Sequence, residues 1–146
     1  MSRIRVSTII DASPKAVWRA IDDVGSHVEW MHDAEAIRFR TAKRKGVGTV
    51  FECDTKVGPL KLTDLMEITE WEPGKRMGVR HDGVVTGDGV FTLRRTRRGR
   101  TKFSWNERLR FPWWMGGELG SIVGAEVLRL VWRRNLGNLK RRVEHG

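Results

Sequence analysis

From Ala34 to Phe111 apolar and polar residues alternate with a period of two, and glycine-bearing turns at Lys45-Gly46, Gly58-Pro59, Pro73-Gly74, Asp82-Gly83 and Arg98-Gly99 punctuate the run. Turns this short join only antiparallel neighbours, so the stretch predicts a meander of six strands, Ile37–Thr41, Thr49–Val57, Leu60–Trp71, Arg76–His81, Gly89–Arg95 and Thr101–Phe111. Ahead of it, Arg3–Ile10 carries Ile4, Val6, Thr8 and Ile10 on one face, a further half-buried strand. Ser13 then offers an N-cap and Pro14 a first helical residue, which predicts a helix to about Asp23 with Val17, Trp18 and Ile21 on one side. Gly25 and Ser26 break it, and a short second helix at His27–Met31 carries Trp30. Beyond Pro112 the spacing becomes helical from Trp114 to Val143, with Leu128, Trp132, Asn135, Leu139 and Val143 along one stripe.

Helices that stand before and after a run of strands cannot be crossovers between parallel strands, so the class is α+β. A seven-stranded antiparallel sheet curls, and one long C-terminal helix across its concave face covers the middle without filling it. The expected result is a helix-grip arrangement with a cavity between sheet and helix, the usual kind of site for an apolar ligand. The 146 residues and a 39% hydrophobic share suit one core, and so a single domain over 1–146. A lone cysteine, Cys53, excludes a disulfide scaffold and a thiolate zinc site. Residues 1–10 lack the apolar run of a signal peptide, and Glu118, Glu126 and Arg129 interrupt the most apolar stretch, so the expectation is a cytoplasmic chain without a transmembrane segment.

Strand alternation assigns faces. Phe51, Cys53, Thr55 and Val57 form the inward set of their strand, and Leu62, Met66 and Ile68 that of the next. Met77 and Val79, Phe91 and Leu93, then Phe103, Trp105, Leu109 and Phe111 follow on the remaining strands. Asp64, His81 and Glu107 are ionisable residues on these inward registers. An ionisable group on an apolar face is paired, protonated or wetted by a pocket, so the three are candidate polar anchors for a ligand. As a catalytic set, His81 would take a proton from an activated carbon while Glu107 or Asp64 orients it. The plainer alternative pairs them with Arg80, Arg108 or Arg110, or turns them to solvent at a bulge.

The opening Ile9-Ile10-Asp11-Ala12-Ser13-Pro14-Lys15-Ala16-Val17-Trp18, with Trp30 downstream, resembles the start of the START-like superfamily known as SRPBCC, in particular its polyketide cyclase/dehydrase branch. Gly46-Val47-Gly48-Thr49, Gly99-Arg100-Thr101-Lys102-Phe103-Ser104-Trp105 and the terminal helix fall where that superfamily has them. The resemblance spans nearly the whole chain and implies a helix-grip fold around a hydrophobic cavity. It carries no catalytic motif. The superfamily ranges over lipid and quinone binders, aromatase/cyclases, hormone receptors, co-chaperones and toxin-like proteins, so the fold alone does not set the function.

Gly116, Gly120 and Gly124 recur every four residues in the first half of the long helix, each at a cost of about 1 kcal/mol against alanine. They mark either the close approach of another backbone or room left for a ligand; on the second account Gly120, Gly124 and Leu128 complete the binding set. Trp113-Trp114-Met115 is a staple for the helix, the lip of the cavity, or an interfacial membrane anchor. His27 and His32, with Glu29 and Asp33 nearby, make a poor metal set because a spacing of five puts the imidazoles on different faces. No metal or cofactor is expected, and Cys53 reads as a core thiol.

Twenty-eight Lys plus Arg against eighteen Asp plus Glu leave a net charge of +10, with the basic groups at Lys43–Lys45, at Arg94–Lys102 and, near the end, at Arg133, Arg134, Lys140, Arg141 and Arg142. Three functional readings follow. The favoured one is binding of a hydrophobic small molecule, lipid-like or polycyclic, in the cavity. The second is a cyclase/dehydrase-type enzyme using the same pocket. The third is a basic-surface module for nucleic acid, anionic lipid or an acidic protein, against which stands the absence of aromatics interleaved with the arginine runs.

Overall fold

The computed structural model describes the backbone of residues 1–146 and the side chains apart from that of Leu119. In chain order the elements are β1 (Ser2–Ile10), α1 (Pro14–Ile21), a 3₁₀ turn (Val24–Glu29), β2 (Ala34–Phe39), β3 (Val50–Val57), β4 (Leu60–Glu72), β5 (Arg76–Asp82), β6 (Thr86–Arg95), β7 (Thr101–Arg110), a second short 3₁₀ turn (Trp113–Met115) and α2 (Gly117–His145). A further 3₁₀ turn, Arg97–Gly99, joins β6 to β7. The sheet order is β1-β7-β6-β5-β4-β3-β2, antiparallel throughout. This is the expected α+β helix-grip architecture, a curled seven-stranded sheet with the long helix in its concavity.

The first helix forms for local reasons. The Ser13 hydroxyl accepts the Ala16 N–H at 3.2 Å, and Pro14 occupies a position whose N–H would have gone unused. Val17, Trp18 and Ile21 are its buried face, and Trp18 meets Trp71 edge-on at 5.1 Å. On α2 the buried residues Ala125, Trp132, Asn135, Leu136 and Leu139 recur at three and four, as the stripe requires.

A buried polar clamp ties the start of β2 to this helix. Asn135 Nδ2 donates to Asp33 Oδ1 at 2.7 Å, Trp132 Nε1 donates to Asp33 Oδ2 at 3.2 Å, and Asn135 Oδ1 accepts the His32 N–H at 2.8 Å. One carboxylate thus satisfies two donors that α2 would otherwise bury unpaired.

Several boundaries differ from the expectation. The segment expected as a helix at His27–Met31 is a 3₁₀ turn over Val24–Glu29, held by Ser26 N–H to Asp23 C=O and Trp30 N–H to His27 C=O. The long helix starts at Gly117 rather than Trp114, because Gly116 at φ 102° breaks the helical path between the short turn and α2. β6 begins three residues early, at Thr86, where Gly87 at φ 137° lets the strand pass close to the Arg108 carbonyl. β2 is shifted to Ala34–Phe39, with a bulge between Ala34 and Ala36.

Candidate functional site

The curled sheet and α2 enclose a cavity of about 330 Å³, within the range of small-molecule sites. Its buried end is aromatic: Trp105 stacks on Trp132 at 4.5 Å and meets Phe91 edge-on at 5.2 Å. Leu60 and Val127 line the cavity and are also 41% and 39% exposed, so it opens to solvent where the β3–β4 turn faces α2.

Strand register places the polar residues. Asp64 lies opposite Cys53, His81 opposite Met66, and Glu107 opposite Gly89. Asp64 and Met66 share a face, so Asp64 and His81 are diagonal neighbours across β4 and β5. All three ionisable groups are buried, between 5% and 8% exposed, and line the cavity. His81 Nε2 is 2.8 Å from Glu107 Oε1, an ion pair when the imidazole is protonated. None of the three is paired with Arg80, Arg108 or Arg110.

Burial pulls the His81 imidazole down, but the Glu107 carboxylate, by charge and hydrogen bond, and then Asp64 and Asp88 outweigh it, so its pKa lies above the ordinary histidine value. Burial, reinforced by Glu107, raises the Asp64 carboxyl against the opposing pull of His81 and the Val85 N–H. Asp64 Oδ1 and His81 Nδ1 are buried with no hydrogen-bond partner. Both atoms belong to residues that line the cavity.

The lining includes most of the residues expected from alternation: Phe51, Cys53, Thr55, Leu62, Met66, Met77, Val79, Phe91 and Trp105, with Gly124 and Leu128 from α2. Leu93, Phe103 and Gly120 do not line it. Leu93 and Phe103 point inward as expected but lie at the far end of β6 and β7, where they join the core. At Gly120 a Cβ would collide with the Met115 carbonyl, so that glycine serves a close backbone approach. Met115 lines the cavity, while Trp113 and Trp114 are 84% and 57% exposed.

The family described as polyketide cyclase / dehydrase and lipid transport matches residues 1–144. The chain belongs to this family. That places it in the SRPBCC superfamily. Among solved structures, it is similar to a protein of Thermus thermophilus at 18% identity, with 97% of each chain covered and a TM-score of 0.84. A protein of Chromobacterium violaceum shares 19% identity over the whole of both chains with a TM-score of 0.75. The Zhui aromatase/cyclase from Streptomyces sp. R1128 shares 16% over 98% of this chain and 93% of its own, with a TM-score of 0.69. At these identities the likeness is one of fold. No curated protein matches the chain in sequence.

In this member of the polyketide cyclase / dehydrase and lipid transport family, part of the lining was not foreseen: Val24, His27, Met31, Asp33, Ala34 and Ile37 from the segment after α1, Leu60 and Val85 from hairpins, and Val127 and Trp132 from α2. Trp132 stood on the expected helical stripe, whereas the segment after α1 has no period that marks a face. His27 is held by Ile21, whose carbonyl accepts from Nε2 at 2.7 Å, and burial lowers its pKa to about 4. The Cys53 thiol is pushed up to about 11 by burial, with the nearby carboxylates adding to it, as suits an inert thiol. Among the described residues no group of three or more His, Cys, Asp or Glu is placed to hold a metal ion, and no helix is long and apolar enough to cross a membrane.

The three basic runs sit away from the cavity opening. By strand register the β6–β7 turn and the β2–β3 connection share one end of the sheet with the last turns of α2, where Lys140 Nζ donates to the Ile9 carbonyl. The opening lies at the other end.

Proposed function

We propose that the chain binds a mainly apolar small molecule in the cavity, with one polar group of that molecule turned toward His81 and Asp64. The observation that carries this reading is the pair of unpartnered buried atoms, His81 Nδ1 and Asp64 Oδ1, in a lining that is otherwise largely hydrocarbon and aromatic. A ligand hydroxyl, enol or carboxyl would exchange two unmet hydrogen bonds for made ones, each worth about 1–3 kcal/mol against the orphaned state. Family membership and the lipid transport in the family's description support the same reading.

The test is native mass spectrometry of the purified protein, with organic extraction of anything released, followed by titration with lipids, quinones and polycyclic aromatics. A stoichiometric apolar molecule, displaced by Val79→Trp in the lining, is the expected result. A protein that carries nothing and takes up none of the panel overturns it.

A second reading turns the same pocket into an active site. With Glu107 holding Nε2, an imidazolium at His81 presents Nδ1–H as an acid, and Asp64, a stronger base than an ordinary carboxylate, stands beside it. That pair suits loss of water from a β-hydroxy carbonyl: Asp64 takes the carbon-bound proton, and the hydroxyl leaves as water with the proton of His81. Turnover of the extracted ligand that vanishes in Asp64→Asn while binding persists would establish it. Binding without turnover leaves the carrier.

A further inference from the structure

The cavity opening is ringed by apolar side chains that the rest of the chain leaves uncovered. Leu60 projects from the β3–β4 turn and Val84 from the β5–β6 turn, each 41% exposed. Trp113 and Trp114 stand on the turn before α2, and Ile122, Val123, Val127 and Leu130 form an outward stripe on α2 at 62%, 56%, 39% and 66% exposure. Leu60 and Val127 line the cavity as well, and Met115, next to Trp114, forms part of its wall. The patch and the opening are therefore continuous. Scattered exposed apolar residues are ordinary, but two tryptophans and an aliphatic helix face gathered from separate segments around one opening are not.

We propose that this rim docks on an anionic lipid bilayer, so that the cavity opens into the membrane interface. The tryptophans favour it, since an indole places its ring among acyl chains and its N–H among headgroups. Charge complementarity favours it too. Lys61 follows Leu60, Arg108 and Arg110 precede the tryptophan turn, and Arg129 lies between Val127 and Leu130 on α2. Against these stand Asp82, Glu118 and Glu126, and Glu126 is already paired with Arg129. The patch lies on elements that project around a hole, a shape suited to sinking into an interface. The docking does not depend on the identity of any ligand.

The test is flotation with vesicles of phosphatidylglycerol and phosphatidylcholine, beside vesicles of phosphatidylcholine alone, with size-exclusion chromatography of the free protein. The intact chain should float with the anionic vesicles and lose most of that binding in high salt. Trp113→Ala with Trp114→Ala, exposed positions whose replacement leaves the core untouched, should lower the partition by about tenfold or more. Arg108→Gln with Arg110→Gln should lower it by a similar factor on anionic vesicles. Binding that survives the tryptophan replacements, or an absence of binding to either vesicle, overturns the proposal. So does a dimer in solution that dissociates in the tryptophan variant, which would give the patch to a second copy of the chain.

Discussion

Gly89 and Glu107 face one another across β6 and β7, and the missing side chain of one makes room for the carboxylate of the other. A Cβ on Gly89 would come within 2.7 Å of Glu107 Cγ and 2.8 Å of Cδ, and closer still to Oε1. Glu107 can therefore lie back over β6 and reach His81 on β5, one strand further along the sheet.

Gly89→Ala should push Glu107 off His81. Overpacking of this kind costs about 1–3 kcal/mol, to be read from denaturant midpoints. Unchanged stability, with the His81 titration also unchanged, would show that Glu107 has other room.

The His81 imidazole should titrate above the ordinary histidine pKa of about 6.5, followed by its ring resonances in NMR. Because its folded pKa is raised, the pair contributes stability fully below the unfolded value and loses it as pH climbs through the folded value. In Glu107→Gln the burial penalty is left without the compensating carboxylate, and the pKa should drop. An unchanged value would mean that Glu107 is not what holds the proton.

His27 works in the opposite sense. Its folded pKa of about 4 lies below the unfolded value, so the folded protein binds fewer protons between the two, and stability present above about pH 6.5 is lost as pH falls toward 4. The loss should reach about 3 kcal/mol. His27→Gln, whose amide can still donate to the Ile21 carbonyl, should flatten this slope in pH-dependent unfolding.

Asp33→Ala strips the acceptor from both Trp132 Nε1 and the Asn135 amide, each buried. Two orphaned donors amount to about 2–6 kcal/mol of lost stability. A change under about 0.5 kcal/mol, the range of ordinary surface substitutions, would mean that water takes over the carboxylate's place.

Cys53 should react slowly with a thiol reagent at neutral pH, since at a pKa of about 11 only about one molecule in ten thousand is thiolate there. Mild denaturant should accelerate it sharply. Rapid labelling of the native protein would mean that the cavity is wet and open at this wall.

Much of this architecture is legible in the chain. Alternation and glycine turns mark the meander, Ser13-Pro14 marks the start of α1, and period two alone puts Asp64, His81 and Glu107 on the inner face. Less legible are the edges of elements that end by backbone geometry rather than by pattern, such as the start of α2 after Gly116 and the early start of β6 at Gly87. The helical stripe puts Trp132 inward, yet its partner Asp33 lies 99 residues away in a segment with no period.

By itself the sequence determined which residues face inward, because a side chain's direction on a strand or helix follows from its backbone period alone. Only the tertiary structure decided what those residues do there. Leu93 and His81 share the inward property, and the position of each strand against α2 sends one into the core and the other to the cavity wall. The link from His81 to Glu107, the carboxylate room above Gly89 and the rim around the opening depend on register and curl across the sheet, and those arise from long-range packing that no local stretch of the chain encodes.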